Sequence, residues 1–442
     1  MDRFSHLLFD MVTALQLAER LDDLAEQPPD LPGVGDSIGP YRILELLGQG
    51  GMANVYRARL RSGVGPEVVV KSMLPHLAKV PALVEMFAVE ARLTSQLQHR
   101  NIVRVENHGV HAGTPYLTME LLDGRNLSQL RLVLRRSKRR MPIAIAMRIA
   151  HDLGAALGCA HAFVDPHGRQ MQIIHRDVSP SNVMVGRDGS VKLLDFGVAR
   201  LSSAAGHVIT RSLKGKFAYM APEQVNELPV DRRCDVFAAG IVLHEMLTNR
   251  RLFAGKSERE TLRRVSAVEA LAPSLSNAAV PPELDEIVMR ALSPRPEDRF
   301  DSGKELAEAL ASLGSLASTK EVAAFIARTV PVAAGDTKTH VLLPLGGTSA
   351  TKTDQDDEVT DPACQLGVLV LVSLAQVHDA PPPDDGGCTL GWNDETEKAK
   401  AKMLASVEVD VSLDGPSMPR WDRVLLGLAF VSLAISLAVG LA

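Results

Sequence analysis

Two acids and an amide are the residues in this chain best equipped for chemistry. Asp177 and Asn182 lie in His175-Arg176-Asp177-Val178-Ser179-Pro180-Ser181-Asn182, and Asp195 opens Asp195-Phe196-Gly197. An acid, a gap of four residues and an amide, then a short strand ending in a second acid, is a pattern suited to phosphoryl transfer. Asp177 can take or orient the proton of an attacking hydroxyl. Asn182 and Asp195 offer oxygen atoms to Mg²⁺, which prefers hard donors and keeps some of its waters. Such a metal would neutralise charge on a nucleotide tail, where most of the catalytic effect must arise.

Other stretches must position these groups. Tyr41 to Leu47 reads as a strand that runs into Gly48-Gln49-Gly50-Gly51-Met52-Ala53-Asn54-Val55-Tyr56 and then a second strand. Glycines at a hairpin tip let backbone N–H groups approach phosphate oxygens, although many such turns only serve a sheet. Val68-Val69-Val70-Lys71 is a further strand, an apolar run ended by a lysine that would snorkel to water if nothing held it. Residues 142–162 form a helix with apolar residues nearly all round, expected to be buried at the centre of a large lobe. Gln172-Ile173-Ile174 reads as strand-like.

Taken in order, these stretches resemble the motifs of protein kinases: the Gly-rich loop, the strand lysine, H-R-D-x-x-x-x-N, D-F-G and, in Tyr219-Met220-Ala221-Pro222-Glu223, the A-P-E box. The Val-Ser-Pro-Ser loop and Gly215-Lys216-Phe217-Ala218-Tyr219 are similar to those of bacterial eukaryotic-type (Hanks-type) serine/threonine kinases, particularly a myxobacterial group. The resemblance covers about residues 41–313. It implies an α+β, two-lobed protein-kinase fold, with a small antiparallel β-sheet lobe, a mainly helical large lobe and ATP between them. It also implies transfer of the γ-phosphoryl of Mg-ATP to serine or threonine of protein substrates; the alternative is a pseudokinase that binds nucleotide and signals by conformation.

The same resemblance assigns roles. Asp177 is the base, Lys71 holds the α/β-phosphates and Glu90 fixes that lysine; Asn182 and Asp195 hold metal. Leu47, Gly48, Gln49, Gly50, Gly51, Val55, Val69, Met119, Glu120, Leu122 and Met184 surround the nucleotide, with Met119 at the back of the adenine pocket. Thr210 and Ser212 stand where relatives are phosphorylated, and Arg176 is placed to receive such a phosphate. Asp235 is the carboxylate that holds the loop backbone, and Arg299 the buried partner of Glu223.

Four positions depart from the pattern, one of them Val69, where the family usually has alanine over the adenine. Ala53 replaces a loop glycine. Ser179 stands where serine/threonine kinases carry lysine, and Lys216 stands where they carry threonine before the A-P-E box. In the family both of those residues point at the catalytic aspartate. The positive charge is thus missing from one wall and present on the facing one. One reading is that Lys216 replaces the absent ammonium; the other is a solvent-facing residue at the substrate site.

A hydrophobic content of 46% is enough for a real core in a chain long enough for two or three domains. The net charge of −5 argues against nucleic acid as a partner. Cys159, Cys234, Cys364 and Cys388 are too scattered for a disulfide scaffold or zinc site. Residues 1–40 read as an amphipathic helix and a linker rich in proline and glycine. The basic run from Arg131 to Arg140 reads as a solvated helix end, or more sharply as a docking patch for an acidic partner or anionic headgroups. Residues 314–420 read as an acidic, largely disordered linker whose threonines offer phosphothreonine-reader sites, with a short apolar segment at 366–377. The uncharged stretch Val424–Ala442, behind Arg420, Trp421 and Arg423, would reach about 28 Å as a helix at ~1.5 Å per residue, close to a ~30 Å hydrocarbon core. It reads as a single-pass anchor in the cytoplasmic membrane with the kinase inside the cell, and its small residues suit pairing of two copies.

Overall fold

Valine-rich sequence dictates the first layer. In the computed structural model, which describes residues 31–165, 167–171, 173–196 and 216–330, the strand β4 (Val68–Met73) lies inside a six-stranded antiparallel sheet. Its neighbours, in chain order, are β1 (Ser37–Ile38), β2 (Tyr41–Gln49), β3 (Ala53–Leu60), β5 (Val105–His111) and β6 (Thr114–Glu120), and the spatial order is β1-β2-β3-β4-β6-β5. Period-two alternation divides β4 between two small cores. Val68 and Val70 pack with Ile38, Tyr41, Ile43, Tyr56 and Tyr116. Val69 packs on the other face with Leu47, Val55, Met119 and the helix α1 (Pro81–Gln96). Lys71 follows Val69 at the same parity and so points to that second face. Helix α1 starts with Pro81 at its first position and buries Leu83, Phe87, Ala91 and Thr94, a spacing of four, four and three.

A second sheet of β7 (Gly124–Asn126), β8 (Val183–Gly186) and β9 (Val191–Leu193) carries Met184 and leads into Asp195. The rest is helical: α2 (Leu127–Arg136), α3 (Ile143–His161), α4 (Pro222–Val225), α5 (Arg233–Thr248), α6 (Glu258–Ser266), α7 (Pro282–Ala291), α8 (Gly303–Ser312) and α9 (Thr319–Thr329). Helix α3 is long and apolar enough to cross a membrane, yet two-thirds of its most apolar window is buried, as the centre of a large lobe requires. Gly154 and Gly303 let α3 and α8 touch backbone to backbone, because a Cβ on Gly154 would lie 2.7 Å from the Gly303 carbonyl oxygen.

The structure departs from three expectations of the sequence. Ile173 and Ile174 belong to no strand among the described residues, although Ile173 is buried in the large core. The linker does not begin at 314. Helix α9 adds Val322, Phe325 and Ile326 to the large core, an i, i+3, i+4 stripe that the polar composition around it obscured. Ser318 caps it, accepting the Glu321 N–H while Glu321 Oε2 accepts the Ser318 N–H at 2.7 Å. Nor is the basic run uniformly solvated. Arg131 reaches Glu245 inside the large lobe, while Arg135, Arg136, Lys138, Arg139 and Arg140 are exposed, Arg140 donating to Asn277 Oδ1 at 2.9 Å. The expected N-terminal helix, Gly197, Thr210, Ser212, most of the expected linker, Cys364, Cys388 and Val424–Ala442 lie outside the described residues.

Candidate active site

Lys71 forms one centre. Its Nζ donates to Glu90 Oε1 at 2.9 Å and to Asp195 Oδ1 at 2.8 Å, closing together a strand, a helix and a loop up to 124 residues apart. Burial works against the ammonium, but Asp195 and Glu90 outweigh it and hold Lys71 well above its ordinary range. Burial raises the Glu90 carboxyl; Lys71 opposes that shift and Asp195 adds to it.

Asp177, Asn182 and Lys216 form the other. Asn182 Nδ2 donates to the Asp177 carbonyl at 2.8 Å and to Asp177 Oδ2 at 3.2 Å. Its amide nitrogen is thereby committed, and its side-chain oxygen is the atom left to offer a metal. Lys216 Nζ donates to the same Asp177 Oδ2 at 2.6 Å. The two centres are one hydrogen-bonded step apart, since the N–H of Leu194, beside Asp195, donates to the Asn182 carbonyl at 2.9 Å.

Buried groups hold the loop between them. Asp235 accepts the backbone N–H groups of His175 and Arg176, each at 2.8 Å, and the Nε2–H of His161 at 2.9 Å. Burial alone would raise the Asp235 carboxyl, but the His161 hydrogen bond and His175 outweigh it and hold it below its ordinary value. His175 donates from Nε2 to the Leu194 carbonyl at 2.8 Å and accepts the Asp177 N–H at Nδ1. Burial pushes its pKa down, which keeps this neutral tautomer. Arg176 and Asp195 have φ of 61° and 47°, left-handed values that cost roughly 1–3 kcal/mol each outside glycine and persist only where surroundings enforce them.

The nucleotide residues fall together as well. Gly48 lies opposite Val55 in the β2–β3 ladder, Val55 opposite Lys71, and Val69 opposite Met119. Leu47, Val55, Val69, Met119 and Met184 share one apolar cluster, against which Leu122 packs. Gln49 ends β2, and Gly50 at the hairpin tip donates its N–H to the Ala53 carbonyl at 3.0 Å. Gly51 follows it at the tip. The Glu120 N–H donates to the Arg104 carbonyl, so only its carbonyl remains a candidate for an adenine edge. Its side chain accepts from Lys192 at 2.7 Å.

Sequence reasoning missed Glu245. This fully buried carboxylate on α5 accepts the Tyr219 hydroxyl at 2.8 Å, the Leu252 N–H at 3.1 Å and the Arg131 guanidinium. The signal was a lone acid in the apolar run from Ile241 to Leu247, which folding must pair. Arg299 meets Glu223 fork to fork at 2.7 and 2.8 Å, as expected.

A family model described as the protein kinase domain matches residues 41–311. The chain belongs to that family. This kinase is 39% identical over 274 residues to the tyrosine-protein kinase MasK of Myxococcus xanthus, covering 62% of this chain and 42% of MasK. It is 35% identical over 275 residues to the serine/threonine-protein kinase PknB of Mycolicibacterium smegmatis, covering 60% of this chain and 41% of PknB. The chain spans about four-tenths of the length of these curated relatives. Among solved structures, a double mutant of the Mycobacterium tuberculosis PknI kinase domain matches with a TM-score of 0.50 and 24% identity, over 64% of this chain and 98% of that one, a likeness of fold. The kinase is thus of the bacterial Hanks type.

Proposed function

We propose that this kinase transfers the γ-phosphoryl group of Mg-ATP to serine and threonine hydroxyls of protein substrates, including its own Thr210 or Ser212, in bacterial signal transduction. The observation that carries the reading is the Lys71 ammonium held between Glu90 and Asp195, with Asp177 and Asn182 one hydrogen-bonded step away. Lys71 is set to steady the phosphates. Asp177, oriented by Asn182 and Lys216, is set to receive the acceptor's proton. The Asn182 oxygen and the Asp195 carboxylate are hard donors, few in number, which fits a Mg²⁺ ion that completes its shell with water and phosphate oxygens. That ion would supply charge neutralisation on the phosphates.

Turnover of ATP by the purified protein, abolished in Asp177→Asn, tests the reading. Nucleotide binding without any turnover would instead support a signalling pseudokinase. Tyrosine acceptors are a second reading, favoured by the similarity to the tyrosine-protein kinase MasK and by Ser179 in place of the lysine typical of serine/threonine kinases. Mapping phosphosites after incubation with Mg-ATP separates the two. We also propose that residues 424–442 anchor the kinase to the cytoplasmic membrane. Detergent-dependent extraction of the full chain, against free solubility of a chain ending before Pro419, supports the anchor; equal solubility removes it.

A further inference from the structure

We infer that Lys216 is a catalytic residue, the ammonium that steadies the transferring phosphoryl group beside Asp177, supplied from the segment before the A-P-E box instead of from the catalytic loop. The inference rests on the phosphoryl-transfer reading above. Ser179 is buried, and its hydroxyl pairs with Ser181 Oγ at 2.8 Å, so that wall of the site carries no charge. Lys216 arrives from 39 residues along the chain and sets its Nζ 2.6 Å from Asp177 Oδ2. The side chains are 24% and 13% exposed, so the pair is partly withdrawn from water and the lysine keeps some access to solvent.

The backbone that carries Lys216 is tied down. Lys216 caps the short 3₁₀ turn Phe217–Tyr219, and its carbonyl accepts the Tyr219 N–H at 3.0 Å. The Tyr219 hydroxyl is anchored on buried Glu245, which Arg131 and the Leu252 N–H also hold. Burial raises the Tyr219 hydroxyl pKa, so it stays a donor to that carboxylate. A surface lysine swinging freely would have no such foundation.

The chemistry needs a cation here. The acceptor oxygen bonds to the γ-phosphorus, the bond to the β–γ bridging oxygen breaks, the hydroxyl proton passes to Asp177, and ADP leaves. Negative charge spreads over the γ-oxygens as this happens. An ammonium has three donors, so Lys216 can keep one on Asp177 and turn another to a γ-oxygen. Displacing residues 216–219 would carry the Lys216 ammonium away from Asp177.

Four proteins test the inference: wild type, Lys216→Thr, Ser179→Lys, and the double variant. Each is assayed with Mg-ATP and casein, titrated with ADP and with the non-hydrolysable analogue AMP-PNP, and melted to verify folding. Lys216→Thr is expected to lose about 10²-fold in kcat. Its ADP affinity should hold and its preference for AMP-PNP over ADP should fall several-fold. The double variant should recover most of both losses, because the restored lysine faces the same carboxylate. Independent additive losses, full activity in Lys216→Thr, or higher activity in it would overturn the inference and leave the kinase reading intact. A wild type without turnover would overturn both. If Lys216→Thr unfolds, Lys216→Met with and without Ser179→Lys gives the same comparison.

Discussion

Asp235 accepts the Arg176 N–H at 2.8 Å, and Arg176 is held at a φ of 61° immediately before the catalytic aspartate. The buried carboxylate thus maintains a backbone turn that a non-glycine residue would otherwise leave. Replacing Asp235 with alanine orphans two loop N–H groups and the His161 donor together. The expected result is a stability loss of about 3–5 kcal/mol, from breaking a buried charged network, and a larger fall in kcat than in ATP affinity. Denaturant titration alongside kinetics measures both; an unchanged kcat would show that the loop holds itself.

Stability should depend on pH through buried histidines. His175 and His244 both have pKa values lowered from 6.5 by burial. His175 is faced by Asp235, Asp177 and Asp195, whose attraction does not reverse the shift. His244 feels Asp285 and Arg131 and donates to the Leu271 carbonyl. Below about pH 6.5 the unfolded chain binds protons that the folded one excludes, so stability present above that pH declines as pH falls toward the lower folded values. Urea midpoints from pH 8 to pH 5 should fall in this window, and less steeply in His175→Asn.

The Arg299–Glu223 fork is almost completely withdrawn from water, with side-chain exposures of 0% and 5%. Arg299→Ala leaves a buried carboxylate uncompensated and should cost roughly 3–5 kcal/mol. Arg299→Lys should remain clearly destabilised, because one ammonium cannot reproduce two parallel hydrogen bonds. A thermal midpoint for the lysine variant equal to wild type would contradict this.

Helix α9 should be part of the folding unit. Phe325 is 1% exposed within the large core, so Phe325→Ala should cost about 3–5 kcal/mol. Ser318→Ala, which removes the cap, should cost about 1 kcal/mol. A chain cut after Leu313 should melt well below one cut after Val330; identical midpoints would make α9 an appendage.

Much of the site was legible in the linear chain because phosphoryl transfer restricts which residue types can serve. Lys71, Asp177, Asn182 and Asp195 stand at recognisable places in ordered motifs, and Glu90 follows from the need for a carboxylate near that lysine. Asp235 and Arg299 were readable through the family resemblance, which assigns one to the loop backbone and the other to Glu223. The strands and central helix were readable from periodicity, which is local.

What remained depended on packing between distant segments. Nothing in the order of residues chose between Lys216 facing water and Lys216 facing Asp177; the Tyr219–Glu245–Arg131 cluster places its backbone, and that cluster unites three elements. Arg131 lay in a run of basic residues, and only the approach of α2 to α5 separates it from the exposed ones. The stripe on α9 was too short to stand out until a core was there to receive it. By itself the sequence determined which groups can do the chemistry, because function limits their identity. The tertiary structure decided which charges meet, because an ion pair across 39 or 114 residues exists only when the intervening core closes the distance.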